Sequence, residues 1–138
     1  MCYNRIRQLC QGAFRDMDKD ILKHILVVED AFLVGVQLKE DIESLGYAVV
    51  GPANSVKKAL ALIEENSISA AILDVNLGHE DSAPIAEHLE ACNIPFLFIT
   101  GYESFSEDKS IFAQKKLVRK PILLPDIVQA MIDLEQSA

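Results

Sequence analysis

Five short apolar runs alternate with stretches of helical periodicity, and this alternation constrains the fold more than any other feature of the chain. The runs fall at residues 25–28, 47–50, 70–74, 95–99 and 117–119. Ala70-Ala71-Ile72-Leu73-Asp74 is the most telling, because a continuous apolar run of this length suits a central parallel strand covered on both faces. Residues 31–45 carry apolar Phe32, Leu33, Val36, Leu38, Ile42 and Leu45 and are closed by Gly46, as a helix C-cap requires. Gly51-Pro52 is expected to break the second strand, and Asn54 or Ser55 to start a second helix striped by Val56, Ala59, Leu60 and Ile63. Ser82 and Pro84 mark a third start, with Ile85, Leu89 and Cys92 facing inward. Residues 105–114 form a more polar fourth candidate. Residues 125–135, with Ile127, Val128, Met131, Ile132 and Leu134, are the last.

An order of strand and helix repeated five times implies an α/β fold: a five-stranded parallel sheet with helices on both faces and right-handed crossovers. Ligands of such open sheets gather outside the carboxyl ends of the strands. Glu29 and Asp30, Asp74, Thr100 and Lys120 each fall at the end of a different predicted strand.

The chain has 138 residues, half of them hydrophobic, enough for one domain with a single core. That domain is expected over residues 21–138. Residues 1–20, with Arg5, Arg7 and Arg15 among Ile6, Leu9 and Phe14, form a weakly amphipathic extension, read as a frayed tail, as an upstream translation start with Met17 the real beginning, or as a helix docking on the domain or on a partner. A formal charge of −8 argues against a nucleic-acid surface, which needs clustered Lys and Arg. Cys2, Cys10 and Cys92 form neither a disulfide framework nor zinc-type spacing. No apolar run approaches a membrane span, and the start lacks a signal-peptide core. The expected setting is cytoplasmic.

Three carboxylates drawn together at the strand ends repel one another, and a bound cation or a raised pKa relieves them. Mg²⁺ suits this donor set, taking Glu29, Asp30 and Asp74 with the backbone carbonyl of Asn76. A carboxylate beside Mg²⁺ is a competent nucleophile toward phosphorus. The Thr100 hydroxyl and the Lys120 ammonium would supply donors to the transferring group. Taken singly, each residue has a plainer reading: Asp30 as a helix cap, Thr100 as a turn residue, Lys120 as a surface lysine. His79, Glu80 and Asp81 read as a polar loop tip rather than a metal cluster, and His88 as lying on the solvent side of its helix.

Ile25-Leu26-Val27-Val28-Glu29-Asp30, the strand into Asp74, Ile99-Thr100-Gly101 and Val118-Arg119-Lys120-Pro121 together resemble the receiver domain of two-component response regulators, over about residues 23 to 136. The resemblance implies a (βα)5 flavodoxin-like fold and Mg²⁺-dependent phosphoryl acceptance on Asp74 from a sensor histidine kinase or histidine phosphotransfer protein. It gives Glu29, Asp30 and Asn76 to the metal, Thr100 to the switch, Lys120 to the phosphoryl group, and a possible cis bond to Pro121. It also implies a downstream protein partner or a phosphate-sink role, and a homodimer through the fourth helix and fifth strand; the charge and the apolar runs already argue for no nucleic acid and no membrane. The chain would assist only its own phosphorylation and dephosphorylation.

Three positions depart from the common pattern. Leu117 stands where an aromatic switch residue is usual. Tyr102 is the substitute aromatic, and Phe98-Ile99-Thr100-Gly101-Tyr102 partly resembles the Phe-Ala-Thr-Gly signature of a receiver subgroup from alphaproteobacterial stress signalling. Gly78 replaces a frequent proline and is expected to loosen the loop after Asp74. The competing functions are a phosphorylation-independent pseudo-receiver and an aspartyl-phosphate phosphatase; the latter usually carries a second acid where Asn76 stands.

Overall fold

The computed structural model describes residues 24–101, 111–112 and 115–137. Its elements run β1 (His24–Val28), α1 (Phe32–Ser44), β2 (Ala48–Ala53), α2 (Val56–Glu65), β3 (Ala70–Asp74), α3 (Ala83–Ala91), β4 (Phe96–Thr100), β5 (Leu117–Arg119) and α4 (Leu124–Ser137). The sheet is parallel throughout, in the order β2-β1-β3-β4-β5. Of the fourth predicted helix only Ile111 and Phe112 are among the described residues, both buried.

Two-residue alternation sorts the strand side chains into two apolar layers. Leu26, Val28, Ala71, Leu73, Phe96 and Phe98 face α2 and α3, meeting Ala59, Ile63, Ile85 and Leu89. Ile25, Val27, Ala70, Ile72, Leu97 and Ile99 face the opposite way, onto Leu38 and Ile42 of α1 and Ile127, Met131 and Leu134 of α4. Both faces of β1, β3 and β4 are thus dry, which is why those runs lack polar alternation. Phe98 anchors the first layer, packing edge-on against Phe96 and Phe112 with ring centroids 5.6 and 4.9 Å away.

The helix boundaries follow local chemistry. The Ser55 hydroxyl accepts from Lys58 N at 3.1 Å, which selects Ser55 over Asn54 as the cap of α2. Gly46, at φ +100°, turns the chain out of α1. Ser82 occupies the N-cap of α3, but its hydroxyl makes no capping bond. The carboxylate of Asp81 accepts from Ala83 N instead, at 3.0 Å.

Two expectations are corrected. Gly51-Pro52 does not break the second strand: β2 continues to Ala53, which pairs with Val28 across a register shift. β2 is an edge strand, where a residue without N–H is tolerated, and Gly51 at φ +103° supplies the bulge. A Cβ there would lie 2.7 Å from the Val27 carbonyl oxygen. His88 is not simply solvent-facing: it is half-buried, and its Nε2 is enclosed without a hydrogen-bond partner among the described residues. Burial lowers its pKa, with the charge of Glu64 opposing the shift. Phe32 and Leu33 of α1, and Val128 and Ile132 of α4, are exposed although they share helices with core residues.

Candidate functional site

The sheet order brings together what the sequence scatters. β1 and β3 are neighbours, so Glu29 and Asp30 lie beside Asp74; β4 follows with Thr100 and β5 with Lys120. The ladder extends past the strands through Val75 N to Ile99 O and Lys120 N to Thr100 O, both 2.9 Å. The long Lys120 side chain then reaches back across β4. Its Nζ lies 3.1 Å from Asp74 Oδ2 and 2.9 Å from Glu29 Oε1. Glu29 Oε2 accepts from Ala31 N at 3.0 Å, so this carboxylate is held from both sides. The N-cap of α1 is Ala31, without a side-chain cap bond, and Asp30 therefore does not serve as one.

An open cleft of about 340 Å³ stands over these groups, lined by Asp30, Asp74, Asn76, Gly78, Gly101 and Lys120. Carboxylate oxygens of Glu29, Asp30 and Asp74 lie within 4.8 Å of one another. Glu29 and Asp74 are almost wholly buried, whereas Asp30 is exposed. Burial pushes the pKa of Asp74 up from 3.8 to about 7, the Glu29 carboxylate adds to the rise, and Lys120 opposes it. For Lys120 burial pulls the pKa down, but Glu29 and Asp74 outweigh burial and leave it raised.

When ionised, three carboxylates against one ammonium leave two negative charges. A hard dication with oxygen ligands fits such a site in charge and donor type. Asn76 lies at the rim, its Oδ1 accepting from Gly78 N at 2.9 Å. The Thr100 side chain is buried beside Asp74's strand, and its hydroxyl donates to the Gly101 carbonyl at 2.9 Å. Leu117 is half-buried and packs on the layer around Phe98. Tyr102 lies outside the described residues.

The loop after Asp74 takes its shape from several local contacts. Gly78 sits at φ +88°, which proline's ring forbids, so the residue gives the loop a different shape. Leu77 is buried, its N–H donates to Glu80 O at 2.8 Å, and Asn76 bridges to Asp81. Glu80 Oε2 accepts from Val56 N at 3.0 Å at the start of α2. His79 and Glu80 are exposed on this loop, as a polar tip should be, and Glu80 and Asp81 serve in addition as acceptors at two helix ends. Gly78 and Gly101 as cleft walls were missed by the sequence reading. A Cβ at 78 would stand in ordinary contact with Asp30 Oδ2, at 3.6 Å, and one at 101 would meet nothing within 4 Å.

The family model described as the response regulator receiver domain matches residues 25–132. Among curated proteins, the phyllosphere-induced regulator PhyR of Methylorubrum extorquens is 29% identical over 102 residues, covering 72% of this chain and 38% of its own length. The transcriptional regulatory protein PdtaR of Mycobacterium tuberculosis is 26% identical over 124 residues, covering 87% of this chain. The chain spans 60% of PdtaR's length. The solution structure of SdrG from Sphingomonas melonis Fr1 superposes with a TM-score of 0.72 at 40% identity, covering 82% of this chain and 96% of that one.

Proposed function

Because this chain belongs to the response regulator receiver domain family, we propose that it works as a phosphorelay receiver in which Asp74 accepts a phosphoryl group from a phosphohistidine. The donor is a sensor histidine kinase or a histidine phosphotransfer protein, and the reader is a downstream protein. The observation that carries this reading is the Lys120 ammonium within 3.1 Å of a buried Asp74 carboxylate that opens onto an acidic cleft. An Asp74 oxygen attacks phosphorus as the P–N bond of the donor breaks, leaving an aspartyl-phosphate. Lys120, already aimed at Asp74, then pairs with a phosphoryl oxygen. Thr100 exchanges its bond to the Gly101 carbonyl for one to the phosphoryl group, and that turn is the switch. Leu117 registers it by packing, because it has no ring to swing inward; Tyr102 is the aromatic in this proposal.

Mg²⁺ would be held by Asp30, Asp74 and the Asn76 main-chain carbonyl with Glu29 behind them, and when bound it neutralises charge on the transferring phosphoryl oxygens. Residues 21–138 constitute the receiver and residues 1–20 an extension in this reading. Self-association through the helix predicted over residues 105–114 together with β5 belongs to the same proposal. The chain acts only on its own phosphoryl group, in the cytoplasm; no helix among the described residues is long and apolar enough to cross a membrane.

The test is intact mass after incubation with a small-molecule phosphodonor and Mg²⁺, run beside Asp74→Asn and a chelated sample. One added phosphoryl mass in wild type alone is the expected result. A wild type that stays bare, and is also unchanged by beryllofluoride, overturns the proposal and leaves a phosphorylation-independent binding module.

A further inference from the structure

Helix α4 carries two apolar faces. Ile127, Ala130, Met131 and Leu134 are buried against the sheet, yet Leu124, Val128 and Ile132 are 46, 39 and 41% exposed. Spaced four apart, these three form a row along one flank, about 12 Å long at 1.5 Å per residue. Single exposed aliphatic residues are ordinary, and a contiguous row of them offers a strip along which an apolar segment can lie.

The row also has a definite address. Glu135, seven residues beyond Val128 and so on the same flank, accepts a hydrogen bond from the Tyr47 hydroxyl at 2.6 Å. Tyr47 directly precedes Ala48, and Ala48 is the sheet partner of His24. The row therefore ends close to where the chain enters β1. Residues 1–20 lie just before that point in sequence, outside the described residues.

Their sequence suits the row. Tyr3, Ile6, Cys10, Ala13 and Met17 recur at alternating intervals of three and four, the pattern by which one helix lies along another. Arg5, Arg7 and Arg15 fall between them, and no acid precedes Asp16. Residues 1–15 therefore carry +3, while residues 24–138, with eight Lys and Arg against eighteen Asp and Glu, carry −10. A second copy of the chain would bring another −8 to the contact, which like-charge repulsion opposes; the basic segment is complementary.

We propose that residues 1–20 fold back onto their own domain and lay Ile6, Cys10 and Ala13 along Leu124, Val128 and Ile132 of α4. Residues 18–23 supply the turn, reaching about 20 Å if extended, and the arginines face the acidic domain. The contact does not depend on the chemistry of Asp74.

Hydrogen–deuterium exchange on the full chain tests this. Amides of residues 4–14 should exchange about tenfold or more slowly than in a free peptide of the same sequence. Val128→Glu with Ile132→Glu should return them to free-peptide rates while residues 70–74 and 96–100 keep their protection, the latter showing that the domain stays folded. Arg5→Glu with Arg7→Glu should raise the same rates. Free-peptide rates in the unaltered chain, or protection that survives the α4 substitutions, overturns the proposal. Protection that grows with protein concentration alongside a dimer mass in light scattering also overturns it, in favour of a second copy.

Discussion

Replacing Asp74 with Asn should stabilise the metal-free protein above neutral pH, although Asp74 pairs with Lys120. In the unfolded chain the carboxyl loses its proton near 3.8, and in the folded chain only near 7. Between those values the folded state holds more protons, so stability falls as pH rises through the window and is level above it. A rise of about three pH units corresponds to about 4 kcal/mol. The cleft opens to solvent beside Asp30 and Asn76, and screening there leaves about 2 kcal/mol as the expected gain from Asp74→Asn near pH 8. The gain should shrink toward zero near pH 3, where Asp74 is protonated in the folded chain and mostly protonated in the unfolded one. Urea unfolding followed by circular dichroism at both pH values measures it. Mg²⁺ at ten times its dissociation constant should restore about 1.4 kcal/mol to wild type and markedly less to the variant, which has lost a ligand. A variant no more stable than wild type near pH 8, or a difference independent of pH, would refute the view that Asp74 is held ionised against its surroundings.

Three further outcomes can be checked by the same unfolding measurements. Phe98→Ala should cost about 3–5 kcal/mol, since Phe98 is fully buried between two rings. Gly51→Ala should cost at least about 2 kcal/mol, because its φ is +103° and the added Cβ would meet the Val27 oxygen at 2.7 Å; an unchanged urea midpoint would mean the bulge can relax. His88, with a folded pKa below 6.5, takes its proton more readily when unfolded, so this group alone contributes a slope of stability falling as pH drops from just above 6.5, opposite in sign to that of Asp74. His88→Gln should flatten that slope.

The strand runs and the chemistry of their ends were legible in the sequence because local signals dictate both. Residues buried on two faces must be continuously apolar, as in Ala70–Asp74, and the alternation with amphipathic helices leaves a parallel sheet as the simplest arrangement. Glu29, Asp30, Asp74, Thr100 and Lys120 could be placed at one edge for the same reason: in parallel strands every carboxyl end lies on the same side. Gly46 and Ser55 announced their helix boundaries through conformational and capping preferences that need no tertiary partner.

Other features had no local signature. The continuation of β2 through Gly51-Pro52 was decided by its place at the sheet edge, where pairing with β1 tolerates a bulge that an isolated strand would not favour. The roles of Glu80 and Asp81 as acceptors at two helix ends depend on where α2 and α3 begin in space. So do the half-burial of His88 and the exposed row on α4, since periodicity identifies an apolar residue without saying which flank a neighbour covers. The sequence by itself determined which groups reach the edge of the sheet. Only the tertiary structure decided that Lys120 crosses β4 to touch both Asp74 and Glu29, because that contact is set by strand order, which is a global packing choice rather than a local one.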